Sequence, residues 1–373
     1  MKKIITTFAL AAFCALTTSA QLADGFYRVQ NKVTGRYISI SDTEPNNYAI
    51  KTTTASVDMS GIRTIKSWER VEANPATIVY VKNISDNKYD LKGQGSSLYE
   101  MSKKRLYIIL TPQSDGTYKA KSDKYEGISL DIADGTDPDK EEDFLRNKSE
   151  ETAYWKAIPV DTGSGYLGIK PDIKTSDGYY GTIYAGFAFK LASSGMKAYY
   201  INSASGSNIG LKEFEGEIIP ATMAVIIKCN SENPVDNKIL PVTNGGAEPS
   251  DNMLRGVYCA LTLSKHFNAK LYNPSEMRVI GTSGDKLAFV KASADDLVDG
   301  KYLQANKAYL DVEEVGYAAN IMTEDGSGIV NIKAEERNQT PEGIYTLTGV
   351  RLPDGVTPKA GVYIKDGKKV VIK

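Results

Sequence analysis

Histidine and cysteine are almost absent from this chain. Its 373 residues include one histidine, His266, and three cysteines. A single histidine excludes zinc or iron sites built from several histidines, and general-base chemistry would have to use His266 or another residue type. No apolar run reaches the roughly 20 residues that a membrane-spanning helix needs. We therefore expect a protein that binds rather than catalyses and that has no transmembrane segment.

Neither sign of charge is in clear excess. The chain has 45 basic and 46 acidic side chains, and 43 basic ones remain without Lys2 and Lys3. A protein that binds nucleic acid gains affinity by neutralising phosphates, which requires a basic surface. We therefore expect no nucleic-acid partner.

Hydrophobic residues make up 41% of the chain, an ordinary globular composition, and the length suffices for two or three domains.

Residues 1–20 have the three parts of a secretory signal peptide. Lys2 and Lys3 supply a positive start, residues 4–16 are apolar, and small residues precede Gln21. We therefore expect a secreted or surface-exposed protein whose mature chain starts at Gln21. Cys14 leaves lipid attachment as an alternative, although the preceding residue is a large phenylalanine.

Beyond this leader only Cys229 and Cys259 remain, each in a short apolar segment. An oxidising environment outside the cell permits a disulfide between them. Two separate buried thiols are the other interpretation, because free cysteine behaves as a small apolar residue.

Strand-like segments recur along the whole chain. Short runs rich in valine, isoleucine, tyrosine and threonine alternate with clusters of glycine, asparagine, aspartate and serine. This pattern is typical of β-strands joined by turns. Helical periodicity is nearly absent, with brief candidates at 140–147 and 293–297. The sequence therefore predicts an all-β protein.

A degenerate repeat covers residues 21–161. Its copies comprise 26–31 with 35–40, then 78–83 with 87–91, and a poorer copy in 117–120 with 127–132. Three such copies can close on one another and bury a core that none could bury alone. The region resembles the β-trefoils of the ricin-B-like class. Trp68 and Trp155, each late in a copy, fit the closing aromatic residue, although neither lies in the Gln-x-Trp motif of the sugar-binding family.

A second series of strands covers residues 162–312. Its segments read, in order, TIYAGFAFKL, GMKAYYI, IIPATMAVIIK, DNMLRGVY and YLQANKAYL. This order resembles a module common near the C-terminus of uncharacterised secreted and surface proteins of the Bacteroidota type. The resemblance spans roughly residues 181–312 and implies a β-sandwich-like domain without an assigned catalytic site.

Residues 329–373 form a third region, after a glycine-containing segment 313–328 that we interpret as a linker. Asp366-Gly367 separates two alternating segments, which is the strongest short signal for a β-hairpin. This region resembles, in a shorter form, the C-terminal sorting domains of the same bacterial proteins. It is interpreted either as a sorting signal or as a merely structural hairpin.

Four aromatic residues are candidates for binding a sugar, because aromatic faces stack on sugar rings. They are Tyr37, Trp68, Tyr89 and Trp155. The alternative for each of them is packing in a core, since tyrosine is common in β proteins and strand alternation directs many side chains inward.

An acidic segment suggests a second kind of site. Asp134, Asp137 and Asp139 are close in sequence, and several carboxylates can share one Ca²⁺. The full spacing of an EF-hand is missing, so a solvated acidic loop is the alternative. No other cofactor is predicted.

These observations favour a secreted or surface-exposed, non-catalytic binding protein with a glycan as its ligand. The alternatives are a structural or adhesive protein that recognises a surface protein, and a glycan hydrolase with a carboxylate pair. The sequence contains no glycine-rich phosphate loop, nucleophile elbow or His-Glu-x-x-His motif.

Overall fold

The computed structural model describes most of the chain after residue 20. The described residues are 21–39, 51–52, 57–58, 62–93, 96–97, 100–101, 104–105, 107–122, 133–145, 150–243, 245–257, 270–311, 316–321, 344–346, 352, 360–365 and 368–372. The predicted signal peptide, residues 1–20, and Cys259 lie outside them. The chain divides into two compact units, Met1–Asn320 and Ile321–Lys373.

The protein is all-β, which confirms the predicted fold class. Among the described residues, helical structure is confined to turns of 3₁₀ helix: Trp68–Arg70, Pro75–Thr77, Glu150–Thr152, Pro234–Asp236 and Ala294–Asp296. The helix candidate at 140–147 was wrong, because this segment contains a strand that pairs with residues 63–65. None of the described helices is long and apolar enough to cross a membrane.

The first part of the larger unit contains strands β1 to β14. They are β1 (Gly25–Asn31), β2 (Tyr37–Ser39), β3 (Lys51–Thr52), β4 (Val57–Asp58), β5 (Arg63–Ile65), β6 (Val79–Ser85), β7 (Lys88–Gly93), β8 (Ser96–Ser97), β9 (Glu100–Met101), β10 (Lys104–Arg105), β11 (Ile108–Pro112), β12 (Tyr118–Ser122), β13 (Glu142–Phe144) and β14 (Tyr154–Pro159).

Six of these strands close into an antiparallel barrel. Around the ring, β1 pairs with β6, β6 with β7, β7 with β11, β11 with β12, β12 with β14, and β14 with β1. Shorter strands extend this barrel, with β2 pairing β5 and β5 pairing β13. A closed ring of this kind is what a trefoil-like domain requires.

Apolar residues at every second position point into the barrel. Val79 and Val81 on β6, and Tyr89 and Leu91 on β7, belong to one buried cluster. The two better copies of the sequence repeat occupy different places in the ring, since one runs from β1 to β2 and the other is the β6–β7 hairpin. The repeat therefore predicts strands of the barrel, but its two better copies do not correspond to equivalent strands in the ring.

The rest of the larger unit contains strands β15 to β29. They are β15 (Leu167–Gly168), β16 (Ile173–Thr175), β17 (Gly178–Ile183), β18 (Ala188–Leu191), β19 (Lys197–Ser205), β20 (Asn208–Glu213), β21 (Val225–Cys229), β22 (Lys238–Val242), β23 (Leu254–Gly256), β24 (Met277–Ser283), β25 (Lys286–Val290), β26 (Leu297–Val298), β27 (Tyr302–Leu303), β28 (Ala308–Asp311) and β29 (Tyr317–Ile321).

Thirteen of these strands form a long sheet and a short one that pack together, and β26 pairs with β27 in a separate two-stranded sheet. The long sheet has the order β16-β17-β21-β19-β20-β29-β25-β24-β28-β23, and the short sheet has the order β15-β22-β18. Phe189 and Ile239 of the short sheet share a buried cluster with Ile183, Val225 and Ile227 of the long sheet. This is the sandwich-like packing expected from the sequence. Below, this two-sheet part is called the sandwich.

Strand β29 falls within residues 313–328, where the sequence suggested a linker. Tyr317 is buried, and β29 pairs with β25 in the long sheet. The described part of that segment is therefore a strand, because its apolar residues complete the core of the sandwich.

The barrel and the sandwich share apolar contacts within the larger unit. Ile78 and Val160, which flank barrel strands, belong to the main buried cluster of the sandwich, and Phe26 packs against it. The rings of Phe26 and Phe187 lie 5.8 Å apart between centroids. The two parts therefore bury apolar surface against each other.

The smaller unit contains a three-stranded antiparallel sheet. Its strands are β30 (Ile344–Thr346), β31 (Gly361–Lys365) and β32 (Lys368–Ile372), and β31 lies in the middle. Lys365 and Lys368 are the pair nearest the turn, so the predicted hairpin is present. The turn residues Asp366 and Gly367 lie outside the described residues.

Candidate functional site

Two of the four aromatic candidates are core residues. Tyr89 is 0% exposed and Trp155 is 3% exposed, and both belong to the barrel cluster. The Tyr89 hydroxyl accepts a hydrogen bond from the Leu22 backbone N–H at 2.9 Å. These positions correct the sugar-binding assignment, because strand alternation turns both side chains into the closed barrel, where they are buried.

The other two candidates, Tyr37 and Trp68, lie half-buried at the junction of barrel and sandwich. Their ring centroids are 5.8 Å apart, and Trp68 meets Tyr166 edge-on at 5.5 Å. The Arg28 guanidinium lies 5.2 Å from the centre of the Trp68 ring, and the Tyr166 hydroxyl donates to the Glu72 carboxylate. Tyr37 and Trp68 therefore support a contact between domains.

Arg28 connects the two parts directly. It is completely buried on β1, and its Nη2 donates to the backbone carbonyls of Tyr166 at 2.7 Å and Glu72 at 3.3 Å. Burial lowers the pKa of Arg28 to about 10, so the side chain is still cationic at neutral pH. A buried cation held by carbonyls fixes the position of the barrel against residue 166.

Two of the three predicted calcium ligands, Asp134 and Asp137, accept hydrogen bonds from other described residues. Asp134 is 2% exposed, and its carboxylate accepts hydrogen bonds from the Thr34 hydroxyl and the Thr136 N–H. The Asp137 carboxylate accepts from the Asp139 N–H at 3.1 Å. Among the described residues, no group of three or more histidine, cysteine, aspartate or glutamate side chains is arranged to hold a metal ion. The carboxylates of Asp134 and Asp137 therefore stabilise turns.

Cys229 is buried on β21 and forms no disulfide with another described residue. Burial raises its pKa to about 12. Its candidate disulfide partner, Cys259, lies outside the described residues, so the bridge between them stays a prediction.

A cavity of about 500 Å³ lies where the barrel part faces the sandwich. We call it the junction cleft. From the barrel part it is lined by Ser39, Arg63, Arg70, residues 73–76 and Glu142; from the sandwich it is lined by Ile169, Lys170, Thr182, Ile183, Val298, Asp299 and residues 304–307.

Strand register positions the barrel wall of the junction cleft. Ser39 on β2 lies opposite Arg63 on β5. Arg63 in turn lies opposite Phe144 on β13, and Glu142 is two residues before Phe144. Because side chains alternate along a strand, Ser39, Arg63 and Glu142 project from the same face. Three polar residues far apart in sequence thus meet on one face of a narrow sheet.

Glu142 joins two arginines at this wall. Its Oε1 lies 3.0 Å from Nη1 of Arg63, and its Oε2 lies 2.7 Å from Nη2 of Arg70. The Arg63 and Glu142 side chains are 17% exposed, whereas the Arg70 side chain is 51% exposed. Arg70 thus projects furthest into solvent and is the more accessible of the two donors.

The opposite wall is held by a second polar network. The Asp172 carboxylate accepts from the Thr182 N–H at 2.8 Å and pairs with Lys307 at 2.6 Å. Asn306 has a left-handed backbone, with φ of 62°, and its amide donates to the Tyr184 carbonyl at 2.8 Å. These contacts orient the turn before β28, and Lys170 stands exposed beside it.

Sequence reasoning missed most of this site. The three predicted calcium ligands, Asp134, Asp137 and Asp139, precede Glu142 in the sequence, but no polar residue of the junction cleft was itself a predicted site residue. The barrel wall combines residues 39, 63, 70 and 142, and no local motif connects positions so far apart. One local signal was available at residues 304–307, where asparagine in a turn tolerates a left-handed backbone.

A scan against models of protein families and a search of curated proteins find no match to this chain. The proposal of a function therefore depends on the geometry of the junction cleft.

Proposed function

We propose that this protein is a secreted or surface-exposed, non-catalytic glycan-binding protein, and that the junction cleft is its binding site. The observation that carries the proposal is the cavity itself. Its volume of about 500 Å³ falls within the range typical of small-molecule sites. Several polar side chains converge on it from two packed parts of the chain.

The lining suits a ligand rich in hydroxyl groups. Arg63 and Arg70 are donors, Glu142 and Asp299 are acceptors, and amide side chains such as Gln304 are both. A sugar offers donors and acceptors on many sides, so it can satisfy such a mixed lining.

The alternative of a glycan hydrolase needs two carboxyl groups that flank the scissile bond. Glu142 and Asp299 are the carboxylates among the described residues that line the junction cleft. Both oxygens of Glu142 are engaged by arginines, which suits a fixed anchor better than a proton donor. This geometry favours binding.

The test is a glycan array probed with the mature chain, residues 21–373, followed by calorimetric titration of each ligand found. We expect saturable binding that free sugar competes away. Arg70→Ala removes the exposed donor, and Ala73→Trp fills the cavity; each should weaken binding at least about tenfold. Arg255→Ala, an exposed arginine on β23 outside the junction cleft, is the matched control.

Two outcomes would contradict the proposal. Failure of the folded protein to bind any glycan would overturn the function and favour the adhesive alternative. Undiminished binding by both Arg70→Ala and Ala73→Trp would overturn the site. Melting temperatures of all variants show whether each remains folded.

A further inference from the structure

We propose that the junction cleft selects acidic glycans, and that Arg70 and Lys170 recognise their carboxylate or sulfate groups. This inference rests on the proposed function and specifies its ligand class. Three independent observations on the described residues carry it.

The first observation is the local charge. Among the described residues, the lining contains four cations, which are Arg63, Arg70, Lys170 and Lys307, and two anions, which are Glu142 and Asp299. The protein as a whole has a formal net charge of −1. The junction cleft is therefore a positive region on a weakly acidic protein, and positive clefts concentrate anionic ligands.

The second observation is that Arg70 keeps hydrogen-bond donors for a ligand. Among the described residues, the Glu142 carboxylate is shared between Arg70 and Arg63. Within the part of the chain that the structure describes, Arg70 donates only through Nη2, so most of its five N–H donors are left for another acceptor. A planar guanidinium binds a carboxylate or a sulfate through two parallel hydrogen bonds.

Lys170 adds a second cation at the opposite wall. It is exposed, and it makes no ion pair with any described residue. Lys307, in contrast, is paired with Asp172 at 2.6 Å. Among the described residues that line the cavity, Lys170 is thus a cation without an ion pair, and Arg70 on the opposite side keeps N–H donors for a ligand although it is paired with Glu142. Asp299 is exposed at the rim and opposes them, which leaves the lining positive in sum.

The third observation is a buried hydroxyl that lacks a partner. Ser39 is 0% exposed, and its Oγ makes no hydrogen bond with any described residue. A buried hydroxyl costs free energy when it has no partner, and such groups are few in native proteins. Ser39 lines the junction cleft and lies opposite Arg63, so a polar atom of a ligand bound beside the arginines can satisfy it.

The experiment compares acidic and neutral forms of the same sugar. Calorimetric titrations of residues 21–373 use an oligogalacturonide, its methyl ester, a carboxyl-reduced sulfated chondroitin oligosaccharide and the desulfated form of that oligosaccharide. We expect at least one acidic probe to bind about tenfold or more tightly than its neutral form, with an affinity that falls as salt rises. The preferred pair then identifies carboxylate or sulfate.

Variants assign the preference to the junction cleft. Arg70→Gln and Lys170→Gln should each reduce the ratio of acidic to neutral affinity by about fivefold or more, whereas Lys286→Gln, at the exposed first residue of β25, should leave it unchanged. Ser39→Ala removes a hydroxyl without a partner, so it should weaken binding while the melting temperature stays the same or rises. If Ser39 had only a structural role, the substitution would not weaken binding while the melting temperature stayed the same or rose.

The results distinguish this inference from the proposed function. Equal binding of acidic and neutral probes overturns the acidic preference and leaves glycan binding standing. Failure of every probe, together with an array without hits, overturns both. An acidic preference that survives in both Arg70→Gln and Lys170→Gln overturns the assignment to these cations.

Discussion

The role of each side chain in this protein depends on whether packing buries it or leaves it exposed. Tyr89 and Trp155 fill the barrel, Tyr37 and Trp68 support the junction, and Arg70 reaches the solvent of the cleft. Residue type alone does not separate these roles, since aromatic rings suit a core and a sugar equally well.

The Tyr89 hydroxyl supplies a testable case. In Tyr89→Phe the buried N–H of Leu22 loses its acceptor, so we expect the free energy of unfolding to fall by about 1–3 kcal/mol. Urea denaturation measures this. The control is Tyr179→Phe, a half-buried tyrosine whose hydroxyl bonds to no described residue, with an expected change below about 0.5 kcal/mol. Equal losses in both variants would contradict the assignment.

Glu141 predicts a pH dependence. The Ser67 hydroxyl and N–H donate to its carboxylate at 2.6 and 2.7 Å, and these bonds hold its pKa below the ordinary 4.5. The resulting stabilisation is complete above the unfolded-state pKa and is lost as pH falls through the lower folded-state pKa. Unfolding free energies of wild type should therefore decline in acid below about pH 5.

Glu141→Gln should remove part of that decline, because the amide does not titrate. Urea denaturation at a series of acidic pH values measures the slope, and Glu232→Gln, at an exposed glutamate, is the matched control. A variant as sensitive to acid as the wild type would show that this carboxylate contributes nothing.

We expect the Cys229 thiol to react slowly with thiol reagents in the folded protein. A thiol whose pKa is raised to about 12 by burial is protonated at neutral pH, and the thiolate is the reactive form. In residues 21–373 carrying Cys259→Ser, we expect a thiol reagent to label Cys229 only after denaturant is added. The exposed variant Ser164→Cys in the same background is the positive control. Rapid labelling of Cys229 in the folded protein would contradict its burial.

At the scale of elements, strand register builds the barrel wall of the junction cleft. Pairing of β2, β5 and β13 brings Ser39, Arg63 and Glu142 to one face. The existence of many strands was predictable from local alternation and turn residues. The partner of each short strand was not, because β5 and β13 are separated by most of the barrel and their pairing depends on ring closure.

Close packing of elements also makes one glycine necessary. A Cβ on Gly168 in β15 would lie 2.3 Å from the backbone carbonyl oxygen of Pro234, which cannot move aside as a side chain does. Gly168→Ala should therefore lower the free energy of unfolding by about 1–3 kcal/mol. In the control Gly163→Ala, the nearest neighbour is the flexible Asp161 side chain at 3.1 Å, and we expect a smaller change. Thermal and urea denaturation measure both, and equal effects would contradict this steric account.

At the scale of the whole molecule, the barrel and the sandwich depend on each other. Ile78 and Val160 are buried in the cluster of the sandwich, and Arg28 donates to the carbonyl of Tyr166. The boundary near residue 161 suggested by the sequence therefore passes through a shared core.

Truncation tests this dependence. Residues 21–161 alone would expose Phe26, Ile78 and Val160, so we expect aggregation or a lower melting temperature than for residues 21–321. The longer fragment retains both partners and should unfold in one cooperative transition. Size-exclusion chromatography and calorimetry compare the fragments. A soluble 21–161 fragment as stable as 21–321 would show that the junction contributes little.

The sequence by itself determined the all-β class, the C-terminal hairpin and the strand-rich segments of the barrel and the sandwich. The alternation of apolar and polar residues and the turn residues act over a few neighbouring positions, so they can be recognised in the sequence without a structure. Only the tertiary structure decided that Tyr89 and Trp155 are core residues, that Asp134 stabilises a turn, and that Arg63, Arg70 and Glu142 meet. Burial and cross-strand contacts depend on segments distant in the chain, and no local pattern specifies which of those segments pack together.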